Sequence, residues 1–318
     1  MNDLYSIGEM VIDFIPFEAG DERDAVYVRK AGGAPANVAI AAAKNGLKSV
    51  MCCKVGDDDF GRFLLDTLAE HGVRAACLEL CKEAVTTMAF VTLDSRGDRR
   101  FTFARKPGAD MMLSEADVRE EDIAESVIVH AGSCSLSAQP EAAATAKAMR
   151  LAHEMGRLVS FDLNYRDLMW GGDEAACARA VREVLPYVDL LKTSDEEAPL
   201  LGGEDALPAL MKEYNIAATV MTQGAEGAQA FFDGGLIRVS GLKAHAVDAT
   251  GCGDAFWGAF LSKLRFEGVT RTSDLTPQIV QRALEYGNVS GCICVQSKGA
   301  IDSIPTRAQI EAAMARGA

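Results

Sequence analysis

The chain has 318 residues, 49% of them apolar and 25% charged, a globular composition that excludes disorder, collagen and a coiled-coil rod. Its 32 Lys and Arg against 46 Asp and Glu leave a net charge of −14, which repels nucleic-acid phosphates and anionic lipid, so no nucleic acid and no membrane is expected as a partner. No apolar run approaches the ~20 residues of a membrane span, the opening residues lack the basic region of a signal peptide, and nine scattered cysteines without a CxxC pair read as reduced thiols in a cytoplasmic protein.

In chain order, a strand is predicted at 4–7 and a second apolar stretch at 10–15. Acidic residues 18–24 read as a turn into a strand at 25–29. Gly32 and Gly33 break that strand, Pro35 sits where a first helical turn tolerates it, and 36–44 is helical, closed by Gly46. A strand at 49–55 and an amphipathic helix at 58–71, ended by Gly72, follow. Residues 86–93 and 99–104 flank Ser95-Arg96-Gly97-Asp98 as a β-hairpin. Strands at 127–131, 158–162, 188–192 and 217–221 then alternate with helices at 140–155, 174–185 and 206–214. Apolar strands alternating with helices imply a parallel sheet covered on both faces. The C-terminal third is predicted to be mostly helical, at 252–266, 277–294 and 307–316. The expected fold class is therefore α/β, a doubly wound, mostly parallel sheet flanked by helices, in a single domain over 1–318. Segments 13–31 and 86–105 interrupt the rhythm and read as a small β-sheet beside it, either a lid over a cleft or an inert edge extension. Both end next to the motifs below, which favours the lid.

The strongest motif is Asp248-Ala249-Thr250-Gly251-Cys252-Gly253-Asp254, running into the apolar stretch Ala255-Phe256-Trp257. A glycine-rich turn lets successive N–H groups converge, and the helix start adds positive potential, so Gly251, Cys252 and Gly253 can offer backbone N–H groups to a phosphate. Asp254 falls in the first helical turn, where a carboxylate beside a phosphate site suits a base for an attacking hydroxyl. An ordinary helix cap explains the same residues more blandly. The Cys252 thiol has two readings: a thiolate favoured by the helix N-terminus, or an inert filler of the space of an alanine. Earlier, Gly32-Gly33-Ala34-Pro35-Ala36-Asn37 permits close approach of a ligand, with Asn37 able to donate and accept to hydroxyls. No GxxxxGK[ST] or GxGxxG is present, which speaks against a P-loop and a dinucleotide fold.

Taken together, Gly32-Gly33 with Asn37 and the late DxxGxGD resemble the two signatures of the ribokinase-like (PfkB) carbohydrate kinases. The stretches GEMVIDF at 8–14, KPGADM at 106–111, HAGSCSL at 130–136 and FDLNYR at 161–166 are similar to the fructokinase branch. The resemblance spans the chain and implies ATP-dependent phosphorylation of a sugar hydroxyl, fructose to fructose 6-phosphate, with 2-keto-3-deoxygluconate as an alternative substrate. A non-catalytic sensor on the same fold is a rival from another class, and the intact Asp254 argues against it. The resemblance further implies that Asp13, Gly32, Gly33, Asn37, Arg105, Asn164 and Arg166 surround the sugar. Thr222, Gln223, Gly224, Glu226 and Gly227 would form a loop under the nucleotide, with Ser194 and Gly253 nearby and Asn288 near adenine. Glu197 would organise hydrated Mg²⁺; here Ser194 stands where the family has Asn, and Glu196 adjoins Glu197, so either carboxylate can serve. Asp248, Thr250, Gly299 and Ser303 resemble a monovalent-cation (K⁺) loop, and the family habit of pairing lids implies a homodimer through the lid.

Overall fold

The computed structural model describes residues 1–16, 26–76, 79–93 and 99–316. The expected turns at 18–24 and 95–98 lie outside the described residues. The chain runs β1 (Asn2–Ile7), β2 (Val11–Pro16), β3 (Tyr27–Gly32), α1 (Ala34–Lys44), β4 (Ser49–Cys52), α2 (Asp59–Glu70), β5 (Arg74–Ala75), β6 (Met88–Leu93), β7 (Arg99–Ala104), α3 (Glu120–Ala124) and β8 (Ser126–Gly132). It continues through α4 (Glu141–Glu154), β9 (Leu158–Asp162), α5 (Glu174–Val184), β10 (Leu190–Ser194), α6 (Leu207–Tyr214), β11 (Ala218–Thr222), β12 (Gly227–Phe232) and β13 (Gly235–Ser240). The C-terminal part holds α7 (Cys252–Phe266), α8 (Pro277–Cys294), α9 (Ala300–Ser303) and α10 (Arg307–Ala315).

A nine-stranded sheet has the order β13-β12-β11-β10-β9-β8-β1-β4-β5. Pairing is parallel from β5 through β11 and antiparallel only at β11–β12 and β12–β13. Its centre is dry on both faces. Every residue of β8 is buried. One face packs on Ala144, Ala148 and Met149 of α4 and Val181 of α5. The other packs on Val38 of α1 and Trp257 and Phe260 of α7. Winding reverses direction between β1 and β8, the doubly wound pattern whose ligand crevices lie beyond the carboxyl ends of the strands. The mostly parallel sheet flanked by helices is as expected, while β5, α3 and α9 were not anticipated. The strand at 49–55 stops at Cys52, and residues 227–240 form the β12–β13 hairpin, which was not anticipated.

A separate four-stranded sheet has the order β3-β2-β6-β7. The two interrupting segments meet here through the parallel β2–β6 pair, Ile12 opposite Met88. One side of it packs on the main body, where Phe14 meets Phe60 of α2 edge to face at 5.7 Å.

Candidate active site

The turn that leads into α7 is closed by its own carboxylate. The N–H and hydroxyl of Thr250 donate to Asp248 Oδ1 at 2.9 and 2.7 Å, and the Gly299 N–H donates to Oδ2 at 3.1 Å. Gly251 sits at φ +77°, and a Cβ there would lie 2.8 Å from that of Ala300; the left-handed conformation and the close approach both require glycine. The fifteen-residue α7 starts immediately afterwards, presenting N–H groups with no acceptor inside the helix and a positive dipole end.

Asp254, one turn in, is buried. Its Oδ2 accepts from Asn37 Nδ2 at 2.8 Å and its Oδ1 from Asn164 Nδ2 at 3.1 Å. Burial raises its pKa above the usual carboxylate range; Arg166, the Asn37 hydrogen bond and Lys192 work against that rise, and Asp162 adds to it. A raised pKa makes the carboxylate a better proton acceptor than an exposed aspartate, which suits a general base.

Asn37 arrives on α1 and Asn164 on the loop after β9, held at φ +36°. Asn37 Oδ1, Asn164 Oδ1 and Asp162 Oδ1 are buried acceptors with no partner among the described residues, the arrangement a polyhydroxy ligand would satisfy. Asp13 comes from β2 of the second sheet, its carboxylate lying over Gly32. Burial pushes Asp13 up to about 6, while Arg166 draws it down. Arg166 itself is exposed, with Nη1 donating to its neighbour's carbonyl on Tyr165 at 3.1 Å. Arg105, expected beside the sugar, has its guanidinium taken up by protein groups. Its guanidinium is enclosed, donating to Asp110 at 2.7 Å, Ser137 at 3.0 Å and Glu141 at 3.0 Å. That network ties the end of β7 to the start of α4.

The remaining expected residues gather at the carboxyl ends of β10 and β11. The Asp195 N–H donates to the Thr222 carbonyl at 3.0 Å. Gln223 to Gly227 is a tight loop in which the Gln223 N–H donates to the Gly227 carbonyl at 2.8 Å. Gly224 and Glu226 lie in its short 3₁₀ turn. Asn288 Nδ2 reaches the carbonyls of Val239 and Ser240, both at 3.3 Å, which brings α8 to the same edge. Glu197 and Glu196 part company: Glu196 is exposed, whereas Glu197 receives the N–H groups of Tyr165 and Ser194, each at 2.9 Å. Asp248, Thr250 and Gly299 come together; Ser303 points elsewhere, its hydroxyl donating to the Ala300 carbonyl at 2.9 Å and lying 2.9 Å from Cys294 Sγ.

Of the two readings of Cys252, its surroundings favour the inert thiol: Sγ donates to the Asp248 carbonyl at 3.7 Å, and the neighbouring Cys294 thiol and burial raise its pKa. The sequence reading also passed over Asp162 and Lys192. Lys192 Nζ donates to Asp162 Oδ2 at 2.8 Å, and both are almost fully buried. A lysine following Leu190-Leu191 in a strand of a two-faced sheet is the signal that pointed to it.

A buried carboxylate at the glycine-turned start of a helix, facing unpartnered acceptors beside a strand-end crevice, defines a phosphotransferase acting on a hydroxyl compound. The pfkB family carbohydrate kinase model matches residues 1–307, and the chain belongs to that family. It is 36% identical over 318 residues to the probable fructokinase-5 of Arabidopsis thaliana, covering 98% of this chain and 97% of that one. Among solved structures it resembles a fructokinase from Xylella fastidiosa with bound ATP (TM-score 0.90, 26% identity, 99% and 98% of the chains covered). It also resembles the fructokinase of Vibrio cholerae O395 bound to fructose, ADP and calcium (TM-score 0.85, 31% identity, 98% of each chain covered).

Proposed function

We propose that the protein is an ATP-dependent fructokinase that transfers the γ-phosphoryl group to the 6-hydroxyl of fructose. The observation that carries this is Asp254, buried at the start of α7 between Asn37 and Asn164. The hydroxyl gives its proton to Asp254 and attacks the γ-phosphorus, whose bond to the β,γ-bridging oxygen breaks as ADP leaves. The N–H groups of the turn at Gly251 to Gly253 meet the charge on the transferring phosphoryl; that of Cys252 donates to the Ala249 carbonyl at 3.2 Å in the unliganded turn. Asp13, Asn37, Asn164 and Arg166 orient the sugar; Arg105 supports that wall from behind. The loop 222–227 and Asn288 line the nucleotide.

Among the described residues no cluster of three acidic, His or Cys side chains could cage a metal ion. That fits Mg²⁺, which keeps its waters and is held chiefly by phosphates. Glu197, fixed by two backbone N–H groups, is the carboxylate we assign to those waters; bound there, Mg²⁺ would neutralise phosphate charge. We read Asp248, Thr250 and Gly299 as the seat of K⁺, to be checked by rates in KCl and NaCl at one ionic strength. The second sheet ends in edge strands β3 and β7, and we read it as a lid that also pairs two copies, since open edges invite pairing; sedimentation would report a monomer if not. No described helix is long and apolar enough to cross a membrane, and the eight free cysteines among the described residues support a cytoplasmic location. The decisive experiment is ADP release with ATP and a panel of fructose, ribose, 2-keto-3-deoxygluconate and a nucleoside. Fructose should give the highest kcat/KM, and preference for another acceptor would overturn the substrate.

A further inference from the structure

A buried ion pair lies behind the proposed base. Asp162 ends β9 and Lys192 stands beside it on β10, in register. Lys192 is 4% exposed and Asp162 1%. Replacing such a pair by apolar side chains commonly costs nothing in stability, so the fold alone gives no reason for it. Its contacts do. Asp162 Oδ2 accepts from Lys192 Nζ at 2.8 Å and from Asn164 Nδ2 at 3.4 Å. The same Asn164 Nδ2 donates to Asp254 Oδ1 at 3.1 Å. Lys192 Nζ also lies 3.4 Å from where a Cβ on Gly253 would stand, directly behind the turn that would receive the phosphoryl group.

We propose that Lys192 and Asp162 form a positioning pair for the reaction: the ammonium anchors Asp162, Asp162 orients the Asn164 amide, and that amide aims Asp254 at the attacking hydroxyl. The inference rests on the reading of Asp254 as the base. The charges facing Asp254 are Asp162 from β9, Arg166 from the loop after it and Lys192 from β10, with Glu197 beside Lys192 and the thiols of Cys252 and Cys294 close by. Lys192 holds its proton: burial lowers its pKa, but Asp162, Glu197 and Asp254 more than reverse this. The two members of the pair therefore act on Asp254 with opposite sign. Lys192 favours its ionised form and Asp162 disfavours it.

The test is the pH dependence of kcat/KM for fructose at saturating ATP, in wild type, Lys192→Met, Asp162→Asn and the double variant. ATP titrates too, but identically for each. Lys192→Met should move the acid limb to higher pH by about one unit and Asp162→Asn should move it to lower pH by a similar amount. Each should lower kcat by roughly ten- to a hundredfold, the usual cost of a misaimed group, with the KM for ATP little changed. The double variant carries a neutral pair, so it should fold, keep the wild-type limb and remain slow. A merely structural pair would slow the enzyme without moving the limb, and limbs that stay put or move together overturn the proposal. Should the single variants not fold, wild-type kcat in the double variant overturns it instead. Asp254→Asn in the same assay separates the two readings: if it stays active the base assignment fails, whereas a dead Asp254→Asn with unmoved limbs sinks the pair alone.

Discussion

At the scale of single residues, the chemistry turns on where a carboxylate keeps or loses its proton. Asp254→Asn preserves shape but cannot take a proton, and its single amide oxygen accepts from only one of Asn37 and Asn164, so kcat should fall by ~10²–10⁴ with the fold intact; steady-state kinetics beside circular dichroism would check this. Because burial raises the pKa of Asp254, activity should fall as pH drops through that raised value. Glu9 illustrates the same physics without catalysis. Its Oε1 accepts the Ala34 N–H at 3.0 Å, and burial pushes it from 4.5 up to about 7, with Asp110 adding to the rise and Arg105 opposing it. The folded state thus prefers the protonated form, a contribution complete below the unfolded value near 4.5 and lost as pH rises through about 7. Glu9→Gln keeps an acceptor without the charge. It should raise Tm at pH 8 and leave it unchanged near pH 4, the gain at pH 8 being bounded by about 3 kcal/mol. Equal Tm values at pH 8 would show that Glu9 is solvated. Asp254 was legible in the sequence because its glycine turn and helix start are local. The raised pKa of Cys252 was not, because it depends on Cys294, far along the chain.

At the scale of elements, the site depends on two helices touching. Gly258 on α7 faces α1, and a Cβ there would stand 2.4 Å from Ala41 Cβ and 3.0 Å from the Val38 carbonyl. That closeness lets Asn37, one turn before Ala41, reach Asp254, one turn before Gly258. Gly258→Ala should push the helices apart, cost about 1–3 kcal/mol of stability and lower kcat together with Tm; a variant as stable and active as wild type would show that the contact has slack. Elements with strong local signals were read to the residue, among them Leu158–Asp162, Cys252–Phe266 and Pro277–Cys294. The β12–β13 hairpin was overlooked although its signal is present. Asp233 and Gly234 turn it at φ +48° and +71°, as Asp-Gly turns between apolar runs do.

At the scale of the whole molecule, no single element holds the site. Asp254 and Asn37 come from helices on one face of the large sheet, Asn164 and Arg166 from a strand end, and Asp13 from the second sheet. The two signatures were legible because each is contiguous; the Asp162–Lys192 pair and the enclosure of Arg105 arise only when strands and loops distant in sequence meet. The division between the two sheets has a measurable consequence. If the sugar lies between Asp13 and the Asp254 centre, it links the second sheet to the main body and stabilises both, whereas nucleotide at the β10–β11 edge needs no help from Asp13. Fructose at a hundredfold excess over its Kd should therefore stabilise the wild type by ~2.7 kcal/mol, as mass action requires, and ATP should do so independently. Asp13→Ala removes a half-buried acceptor whose pKa burial pushes up to about 6. It should abolish most of the rise in Tm with fructose, keep the rise with ATP, and increase the KM for fructose far more than the KM for ATP. The thermal shifts with each ligand alone decide the matter: an undiminished fructose shift in Asp13→Ala would place the sugar wholly on the main body and leave the second sheet outside the binding step.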